Sequence, residues 1–228
     1  MQSMKTLVQV GFISGLLAAG AAFAADPAPN TTNGKAAPTQ VDTSGPSQLI
    51  ESAANVLLAD VDKNRAVYSK DLTGLYKTVE NTLLPNFDTP YAAQLVLGPN
   101  WRSATPEQRK RFVDAFYKRL LYNYGGQMLN FTADRLKVFP TKVVDADTKA
   151  TVRTEIKRSN GTKVAVNYSM RKVNGAWKAW DVVIDGISYV KSYREDYGTE
   201  VAQKGLEAVI ARLEADAQAA LAAKGKTT

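Results

Sequence analysis

From residue 47 onward, apolar positions recur first at helical spacing, then every second residue, then at helical spacing again. Leu49, Ile50, Ala53, Val56, Leu57 and Val61 form one stripe over 47–63, which predicts a first helix capped by Ser47. A second helix is predicted from about Ser69, with Leu72, Leu75, Tyr76, Val79 and Leu83 inward and Pro85 as its limit. Asp88 or Thr89 can cap a short third helix over 90–97, with Pro90 in its first turn and Gly98-Pro99 beyond it. Thr105-Pro106-Glu107-Gln108 is the clearest helix start in the chain: Thr105 caps, Pro106 takes the first position, and Gln108 can reach back to complete a capping box. That helix is predicted to run to about Leu129, with Phe112, Ala115, Phe116, Leu120 and Tyr124 on one face and Gly125-Gly126 weakening its end.

Strand signals follow. Pro140 marks 134–144 as an edge or a bulge. Over 149–158, Val152, Thr154 and Ile156 alternate with Arg153, Glu155 and Lys157. A turn at 159–162 leads into 163–172, where Val164, Val166, Tyr168 and Met170 share a face. Asn174-Gly175 turns into 176–185, which sets Trp180, Val182 and Ile184 against Asp181, Val183 and Asp185. Gly186 ends the alternation, and Ile187, Val190 and Tyr193 resume the helical period. A last helix over 199–222 carries Val201, Leu206, Val209, Ile210, Leu213 and Ala217. The fold class is therefore α+β: helices packed on a curved antiparallel sheet of four to five strands, because the apolar face of such a sheet must be covered. Strong curvature under that cover leaves a cone-shaped apolar interior, either solid core or a cavity.

The flanks of this region are of another kind. Residues 1–24 read as a signal peptide: Lys5, an apolar run from Leu7 to Phe23, and the small-residue site Ala22-Phe23-Ala24. Residues 25–46 are rich in Pro, Thr, Ala and Asn and read as a disordered linker. The single domain then spans 47–222, with a tail at 223–228. Export would permit disulfides, yet the chain has no cysteine and no histidine. Those absences remove the usual metal ligands, the thiol nucleophile and any histidine-based triad. The net charge of +7 points to anionic partners such as a lipid surface, or to charge that serves solubility alone.

Candidate chemistry is sparse. Asp181 and Asp185 lie about 13 Å apart along one strand, too far to share a water as an acid–base pair, and read as surface or turn residues. The Asn-x-Thr triplets at Asn30, Asn130 and Asn160 read as chance. Arg102, Arg109, Lys110 and Arg111 gather around one helix start, to meet a phosphate, a membrane surface or an acidic partner, or merely to face water.

Leu83-Leu84-Pro85-Asn86-Phe87-Asp88, then Leu95-Val96-Leu97-Gly98-Pro99-Asn100-Trp101-Arg102, then Ala104-Thr105-Pro106-Glu107-Gln108-Arg109 occur in order. Phe112, Phe116 and Leu120-Leu121-Tyr122-Asn123-Tyr124 follow, and later Trp177-Lys178, Asp181-Val182, Asp185-Gly186-Ile187-Ser188 and Tyr193-Arg194. Over about 47–213 this series resembles the MlaC/Ttg2D family of phospholipid-binding proteins, with Tyr189, Ser192, Glu195 and Asp196 as departures. The resemblance implies a cone-like, NTF2-like fold whose apolar cavity holds acyl chains. It implies a periplasmic carrier shuttling phospholipid between an outer-membrane lipoprotein–porin complex and an inner-membrane MCE-protein/ABC-transporter complex, to maintain outer-membrane asymmetry. No cofactor is expected beyond phospholipid as cargo, and no nucleic acid as partner. The implied lining is drawn from Leu75, Val79, Leu95, Val96, Phe116, Leu120, Tyr124, Val152, Ile156, Val164, Val166, Tyr168, Trp180, Val182 and Ile184. Arg102 and Arg109 are candidates for head-group or partner contact. Two other readings stay open: an NTF2-like isomerase or dehydratase, which would need a carboxylate on the apolar strand face, and a ligand-free interaction module with a filled interior.

Overall fold

The computed structural model describes residues 40–132, 136–157 and 161–224. The expected signal peptide, and the linker as far as residue 39, lie outside the described residues. In chain order come α1 (Pro46–Tyr68), α2 (Thr73–Leu83), a 3-10 turn (Leu84–Asn86), α3 (Thr89–Leu97), α4 (Asn100–Ser103), α5 (Pro106–Tyr124) and a second 3-10 turn (Gly125–Asn130). Then follow β1 (Leu136–Val138), β2 (Lys149–Lys157), β3 (Lys163–Val173), β4 (Ala176–Ile184), β5 (Ile187–Ser188), α6 (Tyr189–Lys204) and α7 (Leu206–Lys224). The five strands lie side by side in sequence order, each pair antiparallel. The architecture is the α+β arrangement that the hydrophobic periods predict.

Local chemistry sets the boundaries. Thr105 accepts from the Gln108 amide and Gln108 accepts from the Thr105 amide, both at 3.1 Å, a complete capping box. Asp88 caps α3 by accepting from the Tyr91 amide at 3.2 Å. Ser47 does not cap α1: the N-cap is Gly45, and the Ser47 hydroxyl instead accepts from the Thr141 amide at 2.9 Å, tying the helix to the segment after β1. The linker reaches the domain before residue 46. Val41 packs on the core, and the Asp42 amide donates to Ser52 Oγ at 2.7 Å. Within the expected strand over 134–144, of which 134 and 135 lie outside the described residues, β1 stops at Val138: Pro140 has no amide to carry the ladder past Phe139, whose amide donates to the Arg153 carbonyl. The expected last helix over 199–222 is two helices. Gly205 stands between them at φ 81°, ψ 156°, a conformation open essentially to glycine alone.

The sheet departs from simple alternation at one place. Met170 pairs with Ala179 and Ser169 with Asp181, so Trp180 is an extra residue on β4. Trp177 and Ala179 before the bulge therefore share a face with Val182 and Ile184 after it, and Asp181 goes to the opposite face. One face thus carries Ala150, Val152, Thr154 and Ile156 of β2, Val164, Val166, Tyr168 and Met170 of β3, and Trp177, Ala179, Val182 and Ile184 of β4. Leu49 on α1 closes over Val152, Met170, Trp177 and Ala179, with Val41, Ile50 and Phe87 packed around them. A second core lies among the helices: Leu57, Val61, Tyr68, Leu75, Tyr76, Val79 and Leu121. Ion pairs seat α7 on its neighbours. Arg111 holds Glu207 at 2.6 Å and Glu214 at 2.8 Å, Arg212 holds Glu200 at 2.6 Å and Asp216 at 2.8 Å, and Arg119 also reaches Asp216.

Candidate functional site

The inner face of the sheet is unevenly covered. Val152, Met170, Trp177 and Ala179 are buried beneath α1, whereas Ile156, Tyr168, Val182 and Ile184 are only half-buried. The helices show the same gradient. Along the stripe of α5, Phe112 and Phe116 are buried, and Leu120 and Tyr124 are half-buried. Along α6, which begins directly after β5, Tyr197 and Tyr193 are buried and Tyr189 is half-buried. The two stripes meet through aromatic contacts. Phe116 lies edge-on to Tyr193 at 5.1 Å and to Tyr197 at 5.8 Å, and Tyr193 stacks on Tyr197 at 5.7 Å. Leu75 and Val79 belong to the helical core, Val96 is fully buried on α3, Leu95 beside it is half-buried, and Val164 and Val166 are buried on β3.

The polar atoms among these side chains are neutral hydroxyls. Burial pushes the Tyr168 phenol up to about 12. The Tyr193 hydroxyl donates to Tyr124 Oη at 3.4 Å, and burial together with that contact raises its pKa far above the usual phenol value. Burial also raises Tyr189, with Tyr124 adding to the shift. Thr154 spends its hydroxyl on the Val166 carbonyl at 2.7 Å. No carboxylate stands on this face, so the surface can hold apolar chains and donate hydrogen bonds to uncharged oxygen, and it offers no general base. Among the described residues no cluster of acidic side chains could hold a metal ion.

Several expectations are corrected. Trp180 leaves the wall on which alternation places it: the bulge carries it to Tyr91, with the rings edge-on at 5.6 Å. Trp177, which alternation leaves out, takes the inward position. Asp181 is neither a surface nor a turn residue. It is 4% exposed and accepts from the Ser188 hydroxyl at 2.6 Å and the Val190 amide at 3.0 Å. Arg109 is committed to its own surroundings: it donates to the carbonyls of Trp101 and Arg102 and lies 5.3 Å over the Trp101 ring. Arg102 is exposed. Two surface clefts stand apart from the inner face. One of about 490 Å³ runs between α5 and α7, past Arg111, Lys118, Tyr122 and Glu214. The other, of about 270 Å³, is lined by Pro90, Trp101, Arg109, Lys110, Val113 and Asp114.

The family model described as MlaC protein matches residues 51–215. The chain is 26% identical over 161 residues to the toluene tolerance protein ttg2D of Pseudomonas putida, covering 70% of this chain and 74% of that one. It is 25% identical over 182 residues to the intermembrane phospholipid transport system binding protein MlaC of Haemophilus influenzae, covering 78% and 85%. A phospholipid-binding protein from Ralstonia solanacearum, solved in complex with a phospholipid, superposes with a TM-score of 0.68 at 23% identity. That likeness covers 75% of this chain and 96% of the other, and it is a likeness of fold.

Proposed function

The chain belongs to the MlaC protein family, and we propose on that footing that it is a periplasmic carrier that binds one or more phospholipids and hands them between membranes. The observation that carries the proposal is the half-buried apolar set Ile156, Tyr168, Val182 and Ile184 on the inner face of the sheet, together with Leu120 and Tyr124 half-buried on α5, beside the core under α1. Burying about 30 methylenes of two acyl chains there is worth a gross gain above roughly 20 kcal/mol, at about 0.8 kcal/mol each, before the cost of ordering the chains. The wider proposed lining is Leu75, Val79, Leu95, Val96, Phe116, Val152, Val164 and Val166. Arg102, exposed near the start of α5, remains available for a head group or a partner. Phospholipid is the cargo, and no other cofactor is invoked. The partners are an inner-membrane MCE-protein/ABC-transporter complex and an outer-membrane lipoprotein–porin complex, and the outcome is outer-membrane lipid asymmetry. Among the described residues no helix is long and apolar enough to cross a membrane. The choice of carrier over enzyme is supported by the neutral phenols of the wall and by Asp181, which is spent on Ser188 and Val190.

Native mass spectrometry with lipid extraction of the purified protein tests the reading. Co-purified phospholipid, or uptake of added phospholipid, is expected; a bare mass that takes up none would sink it. Val166→Trp fills the wall beside Ile184 and Thr154, and is expected to cut loading at least tenfold while the far-ultraviolet circular dichroism stays unchanged.

A further inference from the structure

The outer face of the sheet carries a charge arrangement that folding does not ask for. Lys149 on β2 lies directly opposite Arg171 on β3, and Arg171 lies opposite Lys178 on β4, so cations stand side by side across three strands. At the other end of the same strand pair, Lys157 lies directly opposite Lys163. Like charges in facing positions oppose sheet formation. Arg153 stands between these rows, opposite Asn167, and Lys137 on β1 faces Glu155. Lys137, Lys149, Arg153, Lys157 and Lys163 are exposed, and Arg171 and Lys178 are half-buried at the margin. Among the described residues fewer carboxylates stand on this face: Asp185 is exposed beside Ala165, whose amide donates to its Oδ1 at 3.2 Å. Glu155 meets Lys163 at 2.9 Å and Asp88 meets Arg171 at 3.4 Å, while Asp181 is buried beneath its own hydrogen bonds. Between the cations stand Thr151, Ala165, Asn167 and Ser169, small or polar, with Val183 half-buried opposite Asn167. The exposed large apolar side chains, Val67, Val144, Ile187 and Leu221, all lie elsewhere.

We infer that this face is an electrostatic docking surface for an anionic phospholipid bilayer. A protein partner's docking patch keeps an apolar or aromatic centre within a polar rim; here the exposed centre is Thr151, Arg153 and Ala165, and the half-buried Val183, Tyr91 and Trp180 lie toward the β4 margin, with Arg171 4.1 Å over the Tyr91 ring. A layer of anionic head groups needs only a broad spread of cations, with nothing to insert. The choice of a bilayer over an acidic polypeptide rests also on the carrier reading, since lipid cargo starts and ends in a membrane.

Co-sedimentation with vesicles tests it, using phosphatidylcholine alone and phosphatidylcholine mixed with phosphatidylglycerol, each at low and high salt. The protein is expected to bind the mixed vesicles only, and to be released by salt. The triple variant Lys149→Gln, Arg153→Gln, Lys157→Gln is expected to bind them about a hundredfold more weakly, at about fivefold per cation. Its melting temperature is expected to hold or rise, because like-charge repulsion is relieved. Equal binding to neutral vesicles, undiminished binding of the triple variant, or no binding to either vesicle would overturn the inference. Capture by immobilised polyglutamate without vesicle binding would assign the face to an acidic protein instead. Native mass spectrometry on the same preparations separates the two readings. A protein that sediments with anionic vesicles but holds no lipid refutes the carrier, and one that holds lipid but ignores those vesicles refutes the docking face.

Discussion

The Asp181 carboxylate accepts from the Ser188 hydroxyl and the Val190 amide, so one buried side chain pins the first turn of α6 to β4. Asp181→Ala leaves that amide and hydroxyl without their acceptor and is expected to cost about 1–3 kcal/mol in urea unfolding. Asp181→Asn keeps an acceptor oxygen and is expected to cost less. The alternation Trp180, Val182, Ile184 conceals this role, because a bulge adds one residue without altering the residue types around it. The register shift between Ser169 and Met170 decides which tryptophan faces inward, and pairing across strands is not written in either strand alone. Val152, Val166, Tyr168 and Met170, which precede the shift or lie on unbulged strands, face as their alternation predicts.

Helix identity was legible wherever a cap and a stripe agreed, as at Thr105–Gln108 and Asp88. It failed at Gly205, where Val201, Leu206, Val209 and Ile210 continue a helical period across a glycine that the backbone needs for a break. Gly205→Ala forces a side chain into φ 81°, ψ 156° with open space around it; the strain, of order 1–3 kcal/mol, is expected to appear as a lowered melting temperature. Beyond that break, α7 is fastened by Arg212, whose guanidinium takes both oxygens of Glu200, at 2.7 and 2.6 Å. Glu200 is only 11% exposed, so Arg212→Met leaves a largely buried carboxylate with Lys204 alone, at 3.4 Å, and is expected to cost about 1–3 kcal/mol. Hydrogen exchange is expected to rise in α7 first, while β2 and β3 keep their protection. The candidate wall was legible as a set of apolar positions. Its division into buried and half-buried members was not, because α1 reaches Val152 and Met170 through contacts distant in sequence.

At the scale of the whole molecule, the chain has no histidine, and stability is expected to stay level through neutral pH. On the alkaline side Tyr76 and Tyr197, both 4% exposed, are held protonated by burial up to about 12, against an ordinary value of 10.0. Below pH 10 both states keep the proton and nothing changes. Between about 10 and 12 the unfolded chain ionises first, so stability falls as pH rises, by roughly 2 kcal/mol for each phenol at pH 12. Tyrosinate absorbance followed during alkaline unfolding checks this: ionisation of these two groups is expected to coincide with loss of helix. On the acid side Arg212 holds Glu200 below the usual carboxylate range, so its contribution is fully present above that range and is lost as pH falls from it through the lowered folded value. The sheet's outermost strands have a consequence of another sort. β1 covers only Thr154–Ile156 of β2 and β5 only Val183–Ile184 of β4; beyond them the Phe139 amide and Thr141 hydroxyl take the Arg153 and Thr151 carbonyls, and the Asp88 amide takes that of Ala179, so a foreign strand meets margins already interrupted. Lys137, in the middle of β1, sets a charge in its path. Polymerisation through backbone pairing is disfavoured at both margins, and the protein is expected to stay monodisperse in concentrated solution.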